Sequence, residues 1–371
     1  QHLLKQCAGN AGVFRPMFVA FLFFVVQSIA TYVQAGLNRE AWPAKFAMYL
    51  ILVAATVFFN NSPWYTGVFL WIARFGATIF LLIQQVILID IAYDWNEDWI
   101  DRADQQDRLT YGSGSTWLHA IVGTCVAFYL LALTGIGMLY HYFSDCSENT
   151  WIITLTLIGM IAFTAIQLSG TDGSLLTSSI MSVYVVYLAY SMVSKNPDGQ
   201  CNPQLGGNDT WGIAIGLTLT AVSLAWTGFS WTAEERLNVD NVQSARSVTG
   251  LNSSGGPIGV NLDQPFLDPE DQPATGLVTE SDSAPTAANG HLAGTGLWKL
   301  NVVMALICCF VAMILTGWGT ITVIKEDENN AANPTVGRVN MAMIGISQWT
   351  AILLYVWTLV APRMFPDRDF S

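Results

Sequence analysis

Apolar stretches of helical length alternate along this chain with short polar breaks. Nine of them are read as membrane-crossing helices: Gly12–Val33, Ala44–Phe59, Pro63–Tyr93, Thr116–Phe143, Trp151–Leu168, Ser174–Val193, Trp211–Trp231, Gly296–Ile324 and Asn340–Ala361. A helix needs about 17–25 apolar residues to cross the hydrocarbon, and Ala44–Phe59 is short by that measure. The pattern predicts an all-α polytopic membrane protein forming a single unit over residues 1–371. No clear internal repeat appears. Thr232–Ala293 lacks a sustained apolar period, is rich in Gly, Ser, Pro and Asp, and is read as a disordered loop.

The third stretch stands apart. Pro63 suits a first helical position, with Asn61 and Ser62 before it as candidate caps. No further proline interrupts the run to Asp101. As a helix, Pro63–Tyr93 measures roughly 45 Å against about 30 Å of hydrocarbon, so it must tilt steeply or project into water. The expectation is a long diagonal helix over residues 63–101 with an acidic end.

Composition agrees. Hydrophobic residues make up 52% and charged residues 11%, where soluble domains carry about a quarter charged. The net charge of −12 comes mostly from three loops and gives no support for nucleic-acid binding. Basic residues near span ends set an orientation. With Thr232–Ala293 cytosolic, that side collects Arg39, Lys45, Arg102, Arg108, Arg236, Arg246, Lys299, Arg363 and Arg368. The opposite side holds Lys5, Arg15, Lys195, Lys325 and Arg338. The bias places the Ser371 end in the cytosol. Asn208-Asp209-Thr210 is then a glycosylation sequon on the non-cytosolic side, with Asn208 as acceptor. Cys7, Cys146 and Cys201 fall on the same side, where disulfides persist, and Cys146–Cys201 is a candidate bridge. The chain starts at Gln1 without a signal-peptide pattern, so a natural N-terminus further upstream is expected.

No HExxH, GxSxG or phosphate-loop motif occurs, and His2, His119, His141 and His291 are scattered. The sequence therefore supports neither catalysis nor a metal or other cofactor. Arg74 is the outlier: a charge about eleven residues into the long helix, with no Asp or Glu in the middle of any span. It either snorkels and caps carbonyls, or lines a polar groove that admits a lipid headgroup. Gln84 and Gln85 follow, as interhelical hydrogen-bonding groups or as groove lining. Gln167 and Gln348 are similar. Asp90, Asp94, Glu97, Asp98 and Asp101 recur at spacings of three to four, on one broad face. They form a solvated acidic helix end or a contact for cations and headgroups. Trp95 and Trp99 lie four apart, as interfacial anchors do.

Three stretches carry a resemblance. LLIQQVILIDIAYDWNEDW, SLLTSSIMSVYVVYLAYSMVSKNPDGQCNPQL and LLYVWTLVAPRMFPDRDFS occur in order, and the chain from Cys7 to Ser371 resembles the serine incorporator family. Tyr93-Asp94 departs from the His-Ser common there. The resemblance implies ten spans, of which the nine here would be the second to tenth, and two helical bundles around the diagonal helix with lipid-facing clefts between them. It implies either scrambling of phospholipids such as phosphatidylserine without ATP, or a non-catalytic carrier or scaffold for serine incorporation into phosphatidylserine and sphingolipids. A small-solute transporter is a third reading, for which broken helices near mid-membrane would be the sign. Membrane phospholipids are the expected partners, in the plasma membrane or endomembranes, with a homo-oligomer or a larger membrane complex as the expected assembly. Arg74, Gln84, Gln85 and Asp90 are the groove candidates.

Overall fold

The computed structural model describes residues 2–34, 41–60, 64–110, 112–170, 174–205, 209–229, 297–319 and 334–364, without the side chains of residues 2–8 and 66. Among these residues every regular element is helical. In chain order they are α1 (His2–Val33), α2 (Trp42–Ala55), α3 (Leu70–Leu109), α4 (Ser115–Phe143), α5 (Ser147–Leu168), α6 (Leu175–Val193), α7 (Thr210–Phe229), α8 (Leu297–Leu315) and α9 (Pro334–Met364). The 230–296 segment, Asn208 and Pro63 lie outside the described residues, so the predicted disordered loop, the sequon asparagine and the helix-starting proline have no structural account.

Eight of these helices are long and apolar enough to cross a membrane, one fewer than the sequence suggested. The exception is α2. Its 14 residues continue as a 3-10 turn only to Phe58, and none of the 14 is buried. At 1.5 Å per residue the α-helical part reaches about 21 Å, short of the hydrocarbon thickness. The long helix differs in the opposite direction. A wide π-type turn over Trp64–Phe69 leads into α3, which runs unbroken through the acidic segment for 40 residues, roughly 60 Å. It stops at Thr110, whose backbone is extended. Asp107 then accepts a 2.8 Å bond from the Gly114 N–H and closes the turn into α4.

The packing is organised around α3. On one side α1, α2 and α8 pack together, and α8 and the Trp64–Phe69 turn link them to α3. On the other, α4, α5, α6 and α9 form a second group, and α3 touches α4, α6 and α9. The two bundles expected around a diagonal helix are thus present. Small residues let α3 approach α8 closely. A Cβ at Gly76 would sit 2.7 Å from the Cys309 sulfur, so any larger residue there pushes the two helices apart. One turn on, Phe80 meets Phe310 with ring centroids 5.2 Å apart. α7 lies near α6 and α8, where Gly216 faces Tyr187 and Ile314.

Candidate functional site

The faces of α3 divide its polar residues. Ala73, Gly76, Ala77, Phe80 and Gln84 are buried at spacings of one to four, and Gly76 and Phe80 mark this stripe as the face toward α8. Gln84 is fully buried, and neither its amide oxygen nor its nitrogen has a hydrogen-bond partner among the described residues. Successive helix positions turn by about 100°, so Gln85 faces elsewhere. It donates to the Ala351 carbonyl of α9 at 2.7 Å and leaves only its oxygen unsatisfied. Leu81 on that side accepts 2.6 Å from the Tyr184 hydroxyl of α6.

Arg74 is 2% exposed. Its guanidinium carbon lies 5.1 Å from the Trp71 ring centroid, and its Nε and Nη2 have no partner among the described residues. The turn after α8 lies beside it. Gly317, Trp318 and Gly319 all take positive φ, and a Cβ on Gly319 would stand 3.7 Å from Arg74 Nη2. Among the described residues no carbonyl or carboxylate accepts from Arg74 Nε or Nη2.

Asp90 is exposed, away from the other three. It belongs to a stripe opposite the buried face: Ile72, Phe75, Ile79 and Val86, then Asp90, Asp94, Glu97 and Asp101, all exposed. Asp90 accepts 2.8 Å from the Trp226 indole of α7. The four groove candidates thus line no single open groove. Arg74 and Gln84 border α8 and the turn that follows it, Gln85 faces α9, and Asp90 faces α7. The acidic end is the exposed face the spacing predicted, with Asp98 paired to Arg102 at 2.9 Å. Trp95 and Trp99 are not free anchors. They meet each other at 5.3 Å and pack on Phe128 and Trp117 of α4.

At the opposite end of α3, Cys146 and Cys201 are joined by a disulfide. Asp198 lies close by, but the paired sulfurs offer no thiolate to a metal. Asn149 and Asn196 brace the loop: Asn149 donates to the Cys201 carbonyl at 2.8 Å, and Asn196 donates to Asn149 at 3.0 Å. Asp209 joins three elements. It accepts from the Tyr190 hydroxyl at 2.6 Å, from Lys195 Nζ at 3.2 Å and from the Gly212 N–H at 3.0 Å, which makes it the N-cap of α7. Burial pushes its carboxyl up, but Lys195, Tyr190 and the Gly212 amide outweigh that and hold it below its ordinary value. Asp209 had drawn attention only as the middle of a sequon. An Asp directly before an apolar helical run is also a capping signal, and that signal would have found it.

The second bundle holds a polar core, of which Gln348 was expected as an interhelical hydrogen-bonding group and Ser178, Tyr355 and Thr156 were not. Ser178 and Tyr355 share a 2.7 Å hydrogen bond between α6 and α9, and Gln348 donates to Thr156 of α5 at 2.8 Å. A separate apolar cleft of about 650 Å³ opens between α1 and α2, walled by Phe18, Phe23, Met48 and Leu52 among others, with Lys45 and Gln27 as polar members.

Comparison with known proteins fits this architecture. The family model described as Serine incorporator (Serinc) matches residues 2–368. Serine incorporator 3 of Bos taurus is 27% identical over 370 residues, covering 91% of this chain and 74% of that protein. The probable serine incorporator of Nematostella vectensis is 26% identical over 403 residues, covering 100% and 83%. Membrane protein TMS1 of Saccharomyces cerevisiae is 26% identical over 367 residues, covering 91% and 75%. With helices long enough to cross a membrane, two bundles around one long helix and a family match over nearly its whole length, this chain belongs to the serine incorporator family of multi-pass membrane proteins.

Proposed function

We propose that this protein moves phospholipids, phosphatidylserine among them, between leaflets without ATP and without a catalytic step. Headgroups pass along the seam between α3 and α8 while the tails stay in the bilayer. The supporting observation is Gln84, fully buried with neither amide atom partnered among the described residues. Each buried polar group left unsatisfied costs about 1–3 kcal/mol. Arg74, beside the turn that ends α8, adds two more partnerless nitrogens. A parted seam would give these groups water or headgroups as partners. The recovered hydrogen bonding would offset part of the packing lost at Gly76–Cys309 and Phe80–Phe310. α8 belongs to one bundle and α3 borders the other, so rigid-body movement of one against the other would part the seam without unfolding a helix.

The relatives' name, serine incorporator, suggests a second reading: a carrier or scaffold that supports incorporation of serine, which we take to be into phosphatidylserine and sphingolipids. Reconstitution separates the two. Purified protein in vesicles with fluorescent phosphatidylserine speeds leaflet exchange on the first reading. Exchange equal to that of empty vesicles, with altered serine labelling of cellular lipids, would leave the second. We place the protein in the plasma membrane or endomembranes with the acidic end of α3 in the cytosol, as the distribution of basic residues favours, and read assembly into homo-oligomers or larger complexes as compatible with either role.

A further inference from the structure

We infer that Arg74 binds the phosphodiester of a phospholipid, drawn from the leaflet at the disulfide-bearing end of the fold and covered by Trp71. This rests on the lipid-handling reading above and names the ligand group at one end of its seam. The guanidinium is 2% exposed and remains charged at any physiological pH. No described acid pairs with it. The Trp71 ring at 5.1 Å supplies a cation–π contact. That contact offsets only part of the cost of an unpaired desolvated charge. The balance calls for an anion.

The unpartnered atoms say which kind. Nε and Nη2 carry the two parallel N–H bonds along one edge of the guanidinium, the edge that grips two oxygens of a phosphate side by side. The neighbouring wall is backbone. Gly319, at φ 69°, brings the chain against Leu70 and the guanidinium, where a Cβ would meet Leu70 at 2.7 Å. Trp318 beside it is buried at φ 63°, a strained conformation for a large side chain, and Asn340 holds its carbonyl at 2.9 Å. Trp71 itself is 49% exposed, and Phe75 one turn on is 57% exposed. An anion arriving past these rings crosses an apolar surface, so it comes attached to acyl chains rather than free in solution.

The test counts phospholipids retained by the purified full chain in native mass spectra, after exchange into lipid-free detergent. Wild type should retain a phospholipid, and excess inorganic phosphate alone should not displace it. Arg74→Gln should weaken retention about ten- to a hundredfold, the loss expected for a charge-assisted hydrogen-bonded pair. Arg74→Lys, which keeps the charge but not the parallel edge, should fall between. Trp71→Ala leaves the guanidinium in place and should speed lipid exchange, so the proposal stays testable if Arg74→Gln misfolds. Retention by Arg74→Gln equal to wild type overturns the site, as does unchanged exchange in Trp71→Ala. Displacement by phosphate alone overturns the lipid source in favour of a soluble anion. Leaflet exchange that survives while no lipid is retained removes this inference and leaves the proposed function. Retention without leaflet exchange does the reverse.

Discussion

Gln84 and Gln85 are neighbours with opposite fates, and the difference lies in helix rotation. Gln85 reaches a backbone carbonyl of α9, while Gln84 turns toward α8 and finds no partner among the described residues. A bare amide between apolar helices destabilises the closed state, so Gln84→Met, of similar shape, is expected to raise thermal stability by about 1–3 kcal/mol. The same change should slow leaflet exchange, because headgroups lose a polar partner midway. A scan of unfolding temperature beside the exchange rate checks both, and a variant that is more stable yet unchanged in rate would remove Gln84 from the path. Asp209 gives a prediction in pH. Its carboxyl is held below the ordinary 3.8 when folded. Its stabilising contribution is therefore complete above that value and is lost as pH falls through the lower folded one. Asp209→Asn should cost about 0.5–2 kcal/mol near neutrality, the range for a lost N-cap. The gap to wild type should close on acidification below about pH 4. A gap that widens in acid would contradict the assignment. At this scale the sequence exposed Arg74 and Gln84 as polar groups in apolar runs. It was silent on whether they have partners, since a partner belongs to another helix.

Helices follow local pattern closely here, and their ends do not. The run from Pro63 was legible as one overlength helix because no proline or cluster of glycines breaks it. Its extension to Leu109 was obscured by the acidic residues, which suggested an end at the membrane surface. α2 was over-read as a span, since apolar content alone does not supply length. The four-residue spacing of Trp95 and Trp99 marked them as interfacial anchors and was silent on their neighbours Phe128 and Trp117, which come from α4. The contact of α3 with α8 depends on Gly76, which sequence alone left unmarked. Gly76→Leu should cost about 1–3 kcal/mol through overpacking against Cys309. Adding Cys309→Ala should restore part of the loss. Thermal unfolding of the single and double variants measures the coupling, and additive effects would mean the two sites do not meet.

The whole molecule is two bundles that share one helix. The second bundle is tied internally by polar bonds such as Ser178–Tyr355 and Gln348–Thr156, whereas the α3–α8 seam is held by apolar packing around unsatisfied polar atoms. On our proposal the seam is the join that opens, and that opening is the central claim. Gly76→Cys tests that claim most directly. Its Cβ would stand 2.8 Å from the Cys309 Cβ, so a separation of about 1 Å gives disulfide geometry and locks α3 to α8. Leaflet exchange of fluorescent phosphatidylserine, without ATP, would be followed in vesicles carrying this variant before and after oxidation, with Gly76→Ser as control. The account predicts faster exchange than in empty vesicles from the reduced variant and the control, and arrest in the oxidised variant alone. Undiminished exchange with the cross-link complete would contradict it.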